Sequence, residues 1–147
     1  MDLIQILMGG LGSLGFGVLF HLRRTRLLIA TIGGLMSWTV FLVLAPLFPS
    51  EAVRYFFSAA AVTVYSEVFA RVIKTPTTTF LVPSLIPLIP GGSLYYTMAS
   101  LFGGNLSTFL DKAVYTLELA VSLALGIVLV TAIAHTVTRL QKPLRKS

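Results

Sequence analysis

Charge is scarce in this sequence, and cysteine is absent. Only 11% of the 147 residues are charged, against about 25% in a typical soluble domain. Hydrophobic residues make up 56% of the chain and its mean hydropathy is +0.91, so a water-facing surface cannot be built around a core of this size. The lack of cysteine excludes disulfides, thiol nucleophiles and Cys-ligated metals. The composition therefore indicates an integral membrane protein.

Motifs for nucleic-acid binding and for catalysis are also missing. The net charge is +6, but the basic residues do not form the aromatic-interleaved face that nucleic acid requires. The sequence contains no HExxH, no GxSxG, no adjacent carboxylate pair and no metal-ligand spacing. We therefore expect no nucleic-acid partner, no catalytic residues, no metal and no other cofactor.

Five segments are apolar enough to cross a bilayer, which takes roughly 20 residues with about 17–25 tolerated. The start, MDLIQILMGGLG, lacks the basic region and cleavage site of a signal peptide, so we expect it to begin the first span of the mature protein. The sequence predicts an all-α membrane protein of one transmembrane domain, residues 1–147. Its five helices are expected at residues 3–20, 27–48, 52–70, 77–98 and 113–136.

The Lys and Arg residues predict the orientation of these spans. Nine of the eleven follow the first, third and fifth spans, and the other two, Arg54 and Lys112, lie on the opposite side. Because basic loops stay in the cytoplasm, the N-terminus is predicted outside and the C-terminus inside.

Small residues recur along the first span. Gly9, Ser13 and Gly17 are four residues apart, a spacing that lets two helix backbones approach closely. Packing within the chain is one interpretation, and docking of a partner subunit is the other.

The fourth span carries three prolines and two glycines in PSLIPLIPGG, residues 83–92. Each proline removes a helical hydrogen bond at a cost of about 3 kcal/mol in a helix interior. Irregular backbone at membrane depth must be buried in protein or line a wet cavity. The sequence therefore predicts a fourth helix broken by Pro/Gly; a kinked helix packed against its neighbours is the structural alternative.

A break of this kind predicts two opposite electrostatic poles. The prolines would leave the carbonyls of Thr79, Pro83 and Ile86 without donors, and these oxygens attract a cation. Gly91 and Gly92 would end the first half-helix, and Ser93 would cap the second, whose exposed N–H groups attract an anion. Many secondary transporters bind substrate at discontinuous helices. The predicted substrate-binding residues are Thr79, Pro83, Ser84, Ile86, Pro87, Pro90, Gly91, Gly92, Ser93 and Tyr96.

The stretch PSLIPLIPGGSLYYTM resembles the Pro-x-x-Pro-Gly signature of the threonine/serine exporter family, in particular its small membrane subunit. That subunit corresponds to the C-terminal half of the longer single-chain exporters. The likeness extends over GSLGFGVLFHLRRTRLLIATIGGLMSW and SEVFARVIKTPTTTFLVPSLIPLIPGG. It implies export of threonine and serine driven by the proton-motive force, across a bacterial cytoplasmic (inner) membrane. It also implies a larger partner subunit in a hetero-complex; a related two-subunit system handles succinate.

Two carboxylates fall inside predicted spans. Glu67 precedes Arg71 by four residues, which favours a helix ion pair. Glu118 has no basic residue one turn away on its own helix, so it is expected to face a cavity or another subunit. Intramembrane carboxylates commonly mark proton routes, and both residues are candidates for proton coupling as well as for structural roles.

The leading hypothesis is a subunit of a secondary exporter that binds cargo at the broken helix. The alternative is a scaffold subunit that transports nothing and stabilises a larger membrane partner. Five spans are few for a complete alternating-access transporter, so either reading implies a hetero-complex or a homo-oligomer in the lipid bilayer.

Overall fold

The computed structural model describes residues 2–144 and is built from α-helices. They are α1 (Asp2–Leu19), α2 (Thr25–Val43), α3 (Glu51–Ile73), α4 (Thr78–Leu85), α5 (Gly91–Phe102) and α6 (Leu106–Leu144). A 3₁₀ turn, Ile86–Leu88, lies between α4 and α5. The predicted all-helical class is confirmed over the described residues.

Three of these helices, α2, α3 and α6, are long and apolar enough to cross a membrane. The bent pair formed by α4 with its 3₁₀ turn and α5 makes a fourth candidate if it is counted as one span. The apolar part of α1, Leu3–Leu19, is shorter than these helices. Four candidate spans therefore follow from the structure, and a fifth stays a prediction.

The core lies where α3 meets α2, α4 and α6. Val62, Leu88 and Leu119 are buried there together with Phe41. Gly126 of α6 lets that helix approach α3 so closely that an added Cβ would lie 2.5 Å from the Phe56 carbonyl oxygen. Backbone contact of this kind needs a residue without a side chain.

The small residues of α1 pack inside the chain. A Cβ at Gly9 would lie 3.3 Å from the Cβ of Trp38 and 3.4 Å from the Gly34 carbonyl oxygen, and Ser13 is fully buried. Of the two interpretations of this stripe, intramolecular packing against α2 is the one observed. Gly12 and Gly15, on another side of α1, face open space.

Two helices have other bounds than the predicted spans. The second span was expected to reach residue 48, but α2 ends at Val43, and Pro46 has no N–H with which to continue it. The fifth span was expected to begin at residue 113, yet α6 already begins at Leu106. Asn105 explains this early start, since its Oδ1 accepts a hydrogen bond from the Thr108 N–H at 3.2 Å and caps the helix.

Helix α6 also exceeds its predicted length. Its 39 residues correspond to about 58 Å at 1.5 Å per residue, nearly twice the thickness of the hydrocarbon layer. The predicted span, residues 113–136, is therefore the central part of one continuous rod that extends beyond it at both ends.

Candidate functional site at the interrupted helix

The prolines interrupt the fourth span as predicted. Helix α4 ends at Leu85, the 3₁₀ turn follows, and Pro90 precedes the first residue of α5. The two halves meet at an angle of 55°. Pro87 and Pro90 cannot donate the hydrogen bonds that would continue α4, so the chain tightens into a 3₁₀ turn and then starts a new helix.

The polar groups left free at the break differ from those predicted. The carbonyl of Pro83 accepts the Ile86 N–H, and the carbonyl of Ile86 accepts the Ile89 N–H at 3.2 Å. Both oxygens had been expected to lack donors. Among the described residues, the carbonyl oxygens of Pro87 and Leu88 have no backbone donor at the end of this turn. For Pro87 the reason is that the residue three positions later, Pro90, has no N–H.

The start of the second half-helix is also earlier than predicted. Ser93 was expected to be its N-cap and Gly91-Gly92 to end the first half, but Pro90 holds the N-cap position and α5 begins at Gly91. The N–H of Leu94, predicted to be free, donates to the Pro90 carbonyl at 3.0 Å. Within the described chain, the N–H groups of Gly92 and Ser93 have no backbone acceptor. Two opposite poles therefore do flank the break, although other groups form them.

The predicted substrate-binding residues do not share one cavity. Thr79 and Pro83 line a cavity of about 320 Å³, and Pro87 lines a second of about 290 Å³ beside Trp38. Ser93 and Tyr96 line a third of about 370 Å³ between α5 and α6. The bend separates these groups, since each half-helix faces different neighbours.

The remaining residues of that prediction have other surroundings. Ser84 is fully buried, and its hydroxyl donates to the Ala30 carbonyl of α2 at 3.2 Å. Gly91 and Gly92 are exposed, and a Cβ built on either would meet no atom within 4 Å. The break is thus open at its glycines and closely packed at its serine.

The cavity between α5 and α6, which we call the α5–α6 cavity, has the chemistry to bind an anion. It is lined by Ser93, Tyr96, Lys112, Tyr115 and Thr116. The Lys112 ammonium lies 5.4 Å from the centre of the Tyr96 ring, a cation–π contact. Lys112 forms no salt bridge with any described residue. A cation without a carboxylate partner, beside the N-terminus of a helix, suits a carboxylate.

Hydroxyl groups complete the polar wall of the α5–α6 cavity. Thr116 and Thr97 share a hydrogen bond of 3.0 Å, which ties α6 to α5. Each of these hydroxyls also lies within hydrogen-bond distance of the carbonyl one turn earlier on its own helix. Because each hydroxyl has one hydrogen, one of the two donates to the other while its neighbour donates to a carbonyl.

Sequence reasoning missed a second polar cluster that adjoins this cavity. The Tyr115 hydroxyl donates a hydrogen bond to Glu51 at the start of α3, and Glu51 pairs with Arg54 at 3.6 Å. The Arg54 guanidinium lies 4.8 Å from the centre of the Phe41 ring on α2. The spacing of Glu51 and Arg54, three residues apart near a helix start, was the available signal; Tyr115 lies 64 residues away and gave none.

Glu67 forms the ion pair predicted from its spacing. Its Oε2 atom lies 3.3 Å from Nη2 of Arg71, and its Oε1 atom accepts a hydrogen bond from the Thr77 hydroxyl at 3.1 Å. Arg71 also donates to the Ala134 carbonyl of α6 at 3.2 Å. These contacts join the end of α3 to the start of α4 and to α6. Whether Glu67 also couples protons stays a prediction.

Glu118 has a different setting. It is exposed, and it forms no salt bridge with any residue between 2 and 138. Its neighbours on the same face of α6, Val114, Leu117 and Val121, are exposed and apolar. The buried Leu119 and the cavity residue Thr116 lie on other sides of α6, whereas Tyr115, three residues before Glu118, is its neighbour on the helix surface.

The two carboxylates should differ in their effect on stability. We expect Glu67→Ala to lower the free energy of unfolding by about 1–3 kcal/mol, because Arg71 and Thr77 lose a partly buried acceptor. Glu118→Ala is the matched control and should leave the melting temperature unchanged, since no described side chain pairs with it. Thermal melting of the chain in detergent measures both, and equal melting temperatures for the two variants would contradict the assignment.

Over residues 2–144, three or four candidate spans, one of them interrupted beside a polar cavity, make a helical multi-pass membrane protein the class that the fold supports. A family model described as "Threonine/Serine exporter, ThrE" matches residues 5–133. The match covers most of the chain, and the chain belongs to this family of membrane exporters. It is therefore a transporter-family protein rather than an enzyme. No curated protein and no solved structure matches it.

Proposed function

We propose that the chain is a subunit of a secondary active exporter that moves small polar metabolites, threonine and serine first among them, out of the bacterial cytoplasm. The family membership supports the class of activity. In this proposal the chain forms one transmembrane domain with five spans, α1 included. Its N-terminus faces outward, and a larger family subunit completes the transport path.

The α5–α6 cavity is the observation that carries the proposal. A cavity of about 370 Å³ holds a cargo of threonine's size with room for a few waters. Lys112 supplies a full positive charge, and the free N–H groups of Gly92 and Ser93 supply the positive end of α5. We assign the cargo carboxylate to this cavity. A dicarboxylate such as succinate would use the same groups at one end.

The other predicted contacts fit a path through the break. The free carbonyls of Pro87 and Leu88 form the negative pole, which suits an ammonium or hydroxyl group. Thr79 and Pro83 line the cavity beside Leu22 in the link between α1 and α2, and Pro87 lines the cavity beside Gln5 and Trp38. We propose that cargo passes these residues in turn, with Glu67 and Glu118 as candidates for the coupled proton.

One observation favours the scaffold alternative. Glu118 lies among exposed apolar residues of α6, Val114, Leu117 and Val121, and a charged group in such surroundings is costly in lipid unless it meets a partner. Glu118 would then mark a subunit contact. In that case the break at Gly91 would fill an interface and bind no cargo.

Efflux measurements separate the two functions. The chain is expressed with and without the product of its neighbouring gene, and the release of labelled threonine, serine and succinate is followed. If the break binds cargo, Gly91→Leu should lower efflux by about tenfold or more, because a leucine beside the free N–H groups of Gly92 and Ser93 obstructs the approach of the cargo carboxylate. The structure accommodates this leucine, since a Cβ at Gly91 meets nothing within 4 Å.

Gly15→Leu on α1 is the matched control, because its Cβ is equally free of contacts and it lies outside the three cavities described above. Assembly with the partner is checked by co-purification. Unchanged efflux in Gly91→Leu, in a complex that still assembles, would leave the scaffold function in place and remove the exporter proposal for this site.

A further inference from the structure

Arg54 is a charged group in unusual surroundings. Its side chain is 14% exposed, and its Nε atom is buried without a hydrogen-bond partner among the described residues. Burying a guanidinium is costly unless an anion and hydrogen bonds offset the lost hydration. The charge that faces it is the Glu51 carboxylate at 3.6 Å, so the stability of this arrangement depends on whether Glu51 is ionised.

Glu51 joins the buried cation to the α5–α6 cavity. One of its oxygens pairs with Arg54 and the other accepts the Tyr115 hydroxyl. Tyr115 is itself part of the cavity wall. The carboxylate therefore links a residue that lines the candidate cargo site to the largely buried side chain of Arg54. Its side chain is 44% exposed, so water and protons can reach it.

The titratable groups around Glu51 are few. Arg54 and Tyr55 come from α3, and Tyr115 comes from α6, where Lys112 precedes it by one turn. Arg54 faces the carboxylate with its positive charge, and Tyr115 donates a hydrogen bond to it. No second carboxylate pairs with Arg54 among the described residues.

We propose that Glu51 is a proton-binding site of the exporter; this inference rests on the function proposed above. A proton from water adds to one carboxylate oxygen and forms one O–H bond, and the same proton returns to water in the reverse step. Protonation removes the negative charge, so the pair with Arg54 is lost. The bond from Tyr115 changes from charge-assisted to neutral, which is roughly half as strong.

The consequence is that proton and cargo favour different arrangements of the same site. With Glu51 ionised, Tyr115 is held against α3 and the α5–α6 cavity keeps its shape. With Glu51 protonated, the bond that holds Tyr115 is weaker, and the largely buried Arg54 is left without an anion, which destabilises this arrangement. Exclusion of cargo by a proton at one site is the thermodynamic requirement for exchanging one against the other.

The two carboxylates singled out from the sequence are placed less well for this role. Glu67 is held by Arg71 and Thr77 and lines a separate cavity between α3 and α6. Glu118 lies three residues after Tyr115 on an exposed side of α6. Among the described residues, neither carboxylate forms a hydrogen bond or salt bridge with a residue that lines the α5–α6 cavity, whereas Glu51 does.

The core offers an internal reporter of this site. Trp38, the only tryptophan in the sequence, stacks on Phe41 with ring centres 5.1 Å apart. The Arg54 guanidinium lies 4.8 Å from the centre of the Phe41 ring. Movement of Arg54 on loss of its anion should therefore change the tryptophan fluorescence.

The first test measures coupling in vesicles that hold the full chain with its partner. Two rates are compared for each variant: uptake of labelled threonine driven by a pH gradient, and exchange of labelled for unlabelled threonine without a gradient. We expect Glu51→Gln to lower the ratio of the first rate to the second by about tenfold or more, because glutamine cannot bind and release the proton. Glu51→Asp, which keeps an ionisable group, should recover part of the ratio.

The second test needs no transport. Trp38 fluorescence of the full chain in lipid nanodiscs is followed as a function of pH in the wild type, in Glu51→Gln and in Tyr115→Phe. The wild type should show a transition that Glu51→Gln lacks. Tyr115→Phe keeps the carboxylate and its pair with Arg54, so it should keep the transition.

Each outcome bears on the proposal. A wild-type ratio in Glu51→Gln, or an unchanged fluorescence transition in that variant, overturns it, as does a loss of coupling in Glu67→Gln or Glu118→Gln alone. If the wild type exports no cargo, the proposed function fails. The fluorescence titration still decides whether Glu51 binds a proton and whether Arg54 then moves.

Discussion

Gly126→Leu should abolish the folded state of this chain. A Cβ at this position would lie 2.5 Å from the Phe56 carbonyl oxygen, 3.1 Å from the Ala60 nitrogen and 3.1 Å from the Ala59 Cβ. Two of these atoms belong to the backbone of α3 and cannot rotate away. The leucine therefore has to push α6 off α3, which separates the buried Leu119 from Val62 and opens the core.

The expected magnitude exceeds that of ordinary overpacking. Extra methylenes in a packed core typically cost about 1–3 kcal/mol when side chains can adjust, and here the obstruction is main chain. Because the stability of a domain is only about 5–15 kcal/mol, we expect little folded protein after detergent extraction. Thermal melting and the elution profile in size-exclusion chromatography measure the loss.

Ala124→Leu is the matched control for Gly126→Leu. It lies two residues earlier on the same helix, its side chain is exposed, and it adds the same kind of bulk to the side of α6 that faces away from α3. It should melt close to the wild type. If Gly126→Leu also melted close to the wild type, the tight α3–α6 contact would be wrong.

Lys112→Met should cause the largest loss of transport among variants that still fold. Hydrogen bonds to charged groups contribute about 1.5–3 kcal/mol, so removing the cation from the α5–α6 cavity should weaken the apparent affinity for cargo roughly 10- to 100-fold. Folding should be affected little, because the one aromatic contact of this ammonium, with Tyr96, contributes about 0.5–1 kcal/mol at an exposed site.

The measurement is the dependence of efflux on internal threonine concentration in cells that express each variant at equal levels. Lys112→Arg keeps the positive charge and should retain most of the affinity. Lys74→Met removes an exposed lysine beyond the end of α3, outside the α5–α6 cavity, and should behave as wild type. Equal affinity in Lys112→Met and Lys74→Met would show that cargo does not bind at Lys112.

Several features could be predicted because they depend on neighbouring residues along the chain. Scarce charge and long apolar runs indicated membrane-spanning helices. Pro83, Pro87 and Pro90 indicated an interrupted span because each lacks an N–H, whatever surrounds it. The spacing of Glu67 and Arg71 indicated their ion pair for the same reason, since residues four apart are adjacent on any helix.

Other features could not be predicted because they depend on which helices pack together. The free carbonyls proved to be those of Pro87 and Leu88, since a 3₁₀ turn supplied donors to Pro83 and Ile86. The predicted binding residues were divided among three cavities by a 55° bend, whose direction follows from contacts with other helices.

By itself the sequence determined the class of protein, the place of the break and the local pairs on single helices. Hydropathy and the missing N–H of proline are properties of contiguous residues, so their effects do not depend on how the helices pack together. Only the tertiary structure decided that Lys112 and Tyr115 line a cavity with the start of α5, and that Glu51 meets both Arg54 and Tyr115. Burial and charge pairing depend on which distant segments pack against each other, and that is decided by the packing of the whole set of helices.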